Sequence, residues 1–297
     1  MSTTAVLAFA AMLAVAMSVA HGDEAGPVAN AGALRASKST GGTAKPKPGP
    51  DAKRPPGRDR VVHTETPRHK MPLSYYVPAA SVGKDRVPLV LSYHGLGGSN
   101  ESEIGPWINL AEKHGFVVAC PKSYFAGGKR PPTDKRPLGP IRELEDAIAI
   151  VEMIDAKRRI DGRFVMVTGF SGGGNPAYTA GLLRPDVFPF VCSRCGNFPD
   201  SLVVEARKHP DYGRSVQTAL TKSHIYFFYG EKDHPIILET DAPMQIEFFE
   251  TAKAANFQKE MIAGMAHVSR PDRAADWFVG KIAGILAEPA AKGPAVR

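Results

Sequence analysis

Residues 169–173, Gly169-Phe170-Ser171-Gly172-Gly173, spell the pattern G-x-S-x-G. They follow a run of apolar and β-branched residues, 164–168, long enough for one buried strand. The pattern has a steric reason. A strand that turns sharply into a helix forces its turn residue into strained backbone angles, where flanking side chains would collide. Gly169 and Gly173 remove those side chains, so Ser171 is expected to project its hydroxyl from the end of a sheet. Residues 177–183 have the composition of the helix that follows, and its first N–H groups would point at the same spot, as a developing oxyanion requires. Pro176 stands near the limit of where a helix start tolerates proline, so a slightly bent first turn is expected.

A serine hydroxyl is a weak nucleophile until a base takes its proton, and that base needs an acid to orient it. On a strand–turn–helix serine the acid and then the histidine follow in chain order. Asp233 comes straight after an apolar strand at 225–229, and His267 after the last strand of the chain. Glu231 and Asp241 compete for the role of acid, and His234, which adjoins Asp233, competes as a pocket residue. His94-Gly95-Leu96-Gly97-Gly98 is a glycine-rich turn after a central strand, and such a turn leaves backbone N–H groups accessible. The N–H groups of Leu96 and Gly172 are the expected oxyanion donors. His94 and Gly95 support that turn, with the His94 ring taking no proton. Without Ser171 the same run would be an ordinary βα turn.

These residues need elements to hold them. Strands are expected at 73–77, 88–93, 116–120, 164–168, 188–191 and 224–229, with a short one near 260–263. Helices are expected at 104–113, 141–157, 177–183, 244–255 and 273–286, and Gly115 should end the first of them. Residues 122–140 form a Pro-rich loop, and the irregular stretch 196–223 has room for a short helix at 202–208 over the site. Strand, Gly-rich turn, helix, strand is the pattern of a parallel sheet. The expected class is α/β, a mostly parallel central sheet with helices on both faces, in one domain over 61–290 with a tail at 291–297.

The 297 residues are 43% hydrophobic and 23% charged, ordinary for a globular protein. The first twenty residues lack any charged side chain, and Ser18-Val19-Ala20 is a small-x-small cleavage pattern, so 1–20 is expected to be a secretory signal peptide. No cysteine follows the apolar run until Cys120, which argues against a lipid anchor. Residues 21–60, rich in Pro, Gly and Lys, are expected to be a disordered spacer. The spacer carries four of the seven net positive charges and no aromatic residue, which argues against nucleic acid as partner. A solubilising tail or attraction to an anionic envelope fits it better. Cys120 ends an apolar strand and is expected in the core; Cys192 and Cys195 are close enough in sequence to pair. No second ligand pair follows Cys192-x-x-Cys195, so no metal is expected.

With these residues in place the chain resembles the α/β-hydrolase superfamily, and within it secreted esterases of the polyhydroxybutyrate depolymerase and feruloyl esterase type. The resemblance rests on His94-Gly95-Leu96-Gly97-Gly98, Glu145-Asp146, the run from Asp161 to Gly173, Gly230-Glu231-Lys232-Asp233 and His267. It implies a Ser171–Asp233–His267 triad, ester hydrolysis through an acyl-enzyme, and no cofactor or metal. The expected substrate is a small or oligomeric ester, and the expected location outside the cell or in its envelope. The chain departs from the pattern at Gly172-Gly173-Gly174 and at Cys192-Ser193-Arg194-Cys195, where small apolar residues are the norm. A stand-alone serine peptidase of the prolyl-oligopeptidase type and a non-catalytic binding protein on the same fold are the alternatives.

Overall fold

The computed structural model describes residues 60–123, 139–199 and 210–288. Within them eight strands share one sheet: β1 (Val62–Glu65), β2 (Pro72–Tyr76), β3 (Val87–Tyr93), β4 (Val117–Pro121), β5 (Ile160–Phe170), β6 (Phe190–Arg194), β7 (His224–Lys232) and β8 (Phe257–Ala266). Their order is β1-β2-β4-β3-β5-β6-β7-β8. β1 and β2 pair antiparallel, as do β2 and β4, and every pairing from β4 to β8 is parallel. The register lines up the carboxyl ends of the parallel strands. Tyr93 pairs Gly169, Gly169 pairs Ser193, Arg194 pairs Phe228, and Lys232 pairs Ala266. The loops after β3, β5, β6, β7 and β8 therefore leave one edge of the sheet, where parallel α/β folds place their sites.

Among the described residues six α-helices flank the sheet: α1 (Asn100–His114), α2 (Gly139–Arg158), α3 (Gly174–Leu183), α4 (Pro210–Lys222), α5 (Ala242–Thr251) and α6 (Pro271–Ala287). Side chains alternate across a strand, so each strand feeds two cores. Val90, Val118, Met166, Cys192 and Phe228 pack with Trp107 of α1 and with Phe278 of α6. Leu89, Leu91, Val165, Val167 and Val191 are buried on the opposite face, beneath α2 and α3, with α4 packed against α3. Every residue of α3 is buried, so the helix that follows Ser171 is clamped between sheet and neighbours. Local chemistry sets the bounds of α1. Ser99 and Ser102 cap its start reciprocally, and Gly115 ends it in the left-handed conformation (φ +77°).

Several boundaries differ from the sequence reading. β1 was not expected; all four of its residues are exposed, so no hydrophobic alternation marks it. β6 starts at Phe190 rather than 188 and runs through Cys192-Ser193-Arg194, which makes that departure part of the central sheet. α4 was not expected either; Gly213 and its β-branched residues weaken the helical signal, although Val216, Ala219 and Leu220 share a buried face. β7 and β8 are longer than expected, at 9 and 10 residues. Residues 1–59, 124–138, 200–209 and 289–297 lie outside the described residues. The expected signal peptide, the short helix at 202–208 and the tail fall there, as do most of the loop at 122–140 and all of the expected spacer but Arg60, which donates to Tyr76 Oη and Glu112 Oε1. No helix among the described residues is long and apolar enough to cross a membrane.

Candidate active site

β5 ends at Phe170, and Ser171 follows with φ +51°, a region that costs a residue with a side chain about 1–2 kcal/mol. Steric contact on both sides accounts for it. A Cβ on Gly169 would lie 1.8 Å from the Gly173 carbonyl oxygen, and one on Gly173 would lie 2.6 Å from the carbonyl oxygens of both Tyr93 and His94. Only glycine lets the turn close against itself and against the end of β3. Ser171, Gly172 and Gly173 make one 3-10 turn leading into α3, and Pro176 is the third residue of that helix. The Ser171 carbonyl oxygen accepts from Asn197 N–H at 2.9 Å, which ties the turn to the loop after β6.

The turn after β3 lies against this one. A Cβ on Gly95 would be 2.9 Å from the Phe170 ring and 3.3 Å from Ser171 Cβ, so the close approach again requires glycine. His94 is buried, and both of its ring nitrogens are engaged by backbone. Nε2 accepts from Ser123 N–H at 3.1 Å, so Nδ1 carries the proton and donates to Gly95 O at 2.8 Å. Burial pushes its pKa below the usual histidine value, and the Lys122 charge acts in the same direction. The ring is thus a neutral brace. Gly98 N–H donates to Gly95 O across the turn, and Leu96 N–H donates to no described residue. Gly172, second in its 3-10 turn, is among the N–H groups that a helix start leaves without an internal partner.

β7 and β8 supply the other pair. His267 Nδ1 donates to Asp233 Oδ1 at 2.5 Å, which aims Nε2 away from the acid. The Asp233 side chain is fully buried and accepts further bonds from Gly230 N–H at 2.9 Å and His234 N–H at 2.7 Å. Burial raises its pKa, but His267, the Cys195 thiol and these two backbone donors outweigh it and bring the carboxyl down to about 2. The competing carboxylates are engaged elsewhere. Glu231 accepts from Gly264 N–H at 2.7 Å, and Asp241 accepts from Asn197 Nδ2 at 2.6 Å and from Phe198 N–H at 3.1 Å. His234 stands beside the pair, its ring 6.2 Å from that of His267.

Phe170, the variable residue of G-x-S-x-G, connects the two halves; its ring lies 4.8 Å from that of His267 and against Gly95. Ser171 Oγ makes no hydrogen bond to a described residue, His267 included; the contact that links the two sides is the Phe170 ring against His267. Catalytic hydrogen bonds are often long before substrate arrives. Cys120, Cys192 and Cys195 are all free thiols in buried positions, and Cys192 and Cys195 are not paired. The Cys195 thiol stands within 4.8 Å of an Asp233 oxygen and a His267 nitrogen, a contact the sequence did not announce. Asp146 braces the β1–β2 connection, accepting from Thr66 Oγ1 at 2.7 Å and from His69 N–H at 3.1 Å.

Two outcomes test this geometry. Ser171→Gly and Ser171→Ala both delete the hydroxyl, but only glycine relieves the left-handed backbone. The glycine variant should be roughly 0.5–1 kcal/mol more stable than the alanine variant in denaturant melts; equal stability would mean an unstrained turn. Asp233, depressed from 3.8 in the native protein, binds its proton less readily than in the unfolded chain. Its contribution to stability is full above pH 4 and is lost as pH falls toward 2. Thermal melts of Asp233→Asn should therefore show a shallower decline across that window than the parent protein, and parallel curves would remove Asp233 from the acid transition.

No known protein-family profile matches the chain. Over 146 residues it is 33% identical to NocK, a candidate esterase of Nocardia uniformis subsp. tsuyamanensis. That match covers 48% of this chain and 41% of NocK, so the chain spans less than half the length of the curated relative it matches. Solved structures are similar over much more of it. The S-formylglutathione hydrolase FrmB of Staphylococcus aureus superposes with a TM-score of 0.56 at 12% identity, covering 74% of this chain and 95% of that one. The acetyl xylan esterase of Aspergillus awamori gives 0.54 at 16%, covering 73% and 98%. EstE1, a thermostable carboxylesterase cloned from a metagenomic library, gives 0.52 at 20%, covering 77% and 89%. Strand order, the strand–turn–helix at Ser171 and these superpositions agree: the chain has the α/β-hydrolase fold.

Proposed function

We propose that the chain is an exported serine hydrolase that cleaves carboxylic esters through an acyl-enzyme. The observation that carries this reading is the buried Asp233 carboxylate bonded at 2.5 Å to His267, whose ring lies 4.8 Å from that of Phe170, the residue before a serine held at φ +51° on the end of β5. Ser171 Oγ attacks the ester carbonyl carbon while His267 Nε2 takes its proton. Asp233 orients the imidazole and offsets the charge it gains. The N–H groups of Leu96 and Gly172 receive the tetrahedral oxyanion, in a place where the approach of Gly95 to Ser171 has already brought the two turns together. The alcohol leaves with the proton from His267. Water then attacks the acyl-serine with His267 again as base, which releases the acid and restores Ser171.

Likeness of fold supports the reaction class and not the substrate. Resemblance to secreted polyhydroxybutyrate depolymerase and feruloyl esterase-type enzymes makes short-chain, feruloyl and hydroxyalkanoate esters the substrates to screen. Export rests on the apolar, uncharged first twenty residues and the spacer behind them. Turnover of p-nitrophenyl acetate and methyl ferulate by purified protein is the direct test. Ser171→Ala should reduce kcat by roughly 10⁴-fold or more and Asp233→Asn by roughly 10²–10⁴-fold. Activity surviving in the first variant would move the nucleophile elsewhere, and full activity in the second would end the triad assignment.

A further inference from the structure

Arg194 is a buried charged residue that the reaction above leaves unused. Its side chain has no exposed surface. Nε donates to Thr168 Oγ1 at 3.0 Å; Nη2 donates to Ser92 Oγ at 2.9 Å, to Tyr93 O at 3.3 Å and to Glu103 Oε1 at 2.7 Å; and Nη1 donates to Ser269 Oγ. The guanidinium also lies over the Trp107 ring, 5.4 Å from its centroid. Glu103 Oε1 is drawn into the same knot by Ser92 Oγ at 2.6 Å and Trp107 Nε1 at 3.1 Å.

The partners map onto the reaction. Thr168 lies three residues before Ser171, Tyr93 immediately before the His94 turn, and Ser269 two residues after His267. One planar fork with five fixed donors therefore touches the strand of the nucleophile, the strand of the oxyanion turn and the loop of the base. The neighbouring Cys195 thiol lies 3.5 Å from Val268 O, on the same loop. Stability alone is a poor reason for such an arrangement, because a buried ion pair is often matched or exceeded by apolar residues of similar volume. We infer that Arg194 is a positioning residue: it fastens the His267 loop to the carboxyl ends of β3 and β5, so that base, nucleophile and oxyanion donors keep a common register. The inference deepens the esterase reading and rests on it for its catalytic part.

The test pairs a charge-free variant with two readouts. Glu103→Met combined with Arg194→Met removes both charges, leaves no unpaired ion and should fold with a thermal midpoint close to the parent. Hydrogen exchange of the peptide spanning 264–270 should become at least about tenfold faster than in the parent while the central strands stay protected. With p-nitrophenyl acetate, kcat should fall about 10–100-fold and KM change less than about threefold, the signature of lost alignment without lost binding. Unchanged exchange together with unchanged kcat would overturn the inference. If the parent protein turns over no ester, the esterase reading fails, and the exchange measurement still decides whether Arg194 holds the loop. Should the double variant not fold, Arg194→Lys keeps the charge and loses the fork. A reduced kcat at parental stability then upholds the role, and parental kcat ends it.

Discussion

The site depends on one steric crossing. Where β5 turns into α3, the Gly173 carbonyl passes so close to Gly169, and Gly173 itself so close to the carbonyls of Tyr93 and His94, that no side chain fits at either glycine. That contact does two things at once. It accompanies the left-handed backbone of Ser171, and it sets the Ser171 turn against the end of β3, where the His94–Gly98 turn begins. Strain of this kind persists only where the surroundings over-determine it. Here α3 is buried along its whole length, and the Ser171 carbonyl is held by Asn197.

The rest of the chemistry follows from parallel pairing. Because β3, β5, β6, β7 and β8 end in one row, residues far apart in sequence meet along a single edge: His94 and Gly95, Ser171, Arg194 and Cys195, Asp233 and His267. The polar groups there are satisfied in pairs that leave little freedom. His94 is braced by two backbone groups, Asp233 accepts from three directions, and Arg194 donates to three strands or loops. A low-dielectric site with its donors already in place is the condition under which fixed dipoles do most for a charged transition state.

How much of this was legible depended on whether the cause was local. The glycines around Ser171 act on atoms within a few residues, or on the adjacent strand end, so the motif announced both strain and position. The fold class was legible from alternating apolar runs and Gly-rich turns. Asp233 could be favoured over Glu231 and Asp241 by its place after β7, although only the structure shows that Glu231 binds Gly264 and Asp241 the 197–198 loop. β1 escaped because an exposed edge strand carries no hydrophobic pattern, and α4 because Gly213 and the β-branched residues obscured the spacing of Val216, Ala219 and Leu220. Arg194 escaped for a different reason. A charged residue at the end of an apolar run suggests a loop, and its burial is made tolerable by Glu103, 91 positions away. The signal that was present, an Arg between two cysteines where small apolar residues are the norm, marked the place without giving the role.

The central claim is that the fold assembles an activated serine at position 171. Treatment of the folded protein with a fluorophosphonate, followed by mass spectrometric mapping, tests it most directly. The account predicts one adduct on Ser171 that fails to form in heat-denatured protein, since denaturation separates the serine from His267 and Asp233. A folded protein that takes no label, or takes it on another serine, would contradict the account.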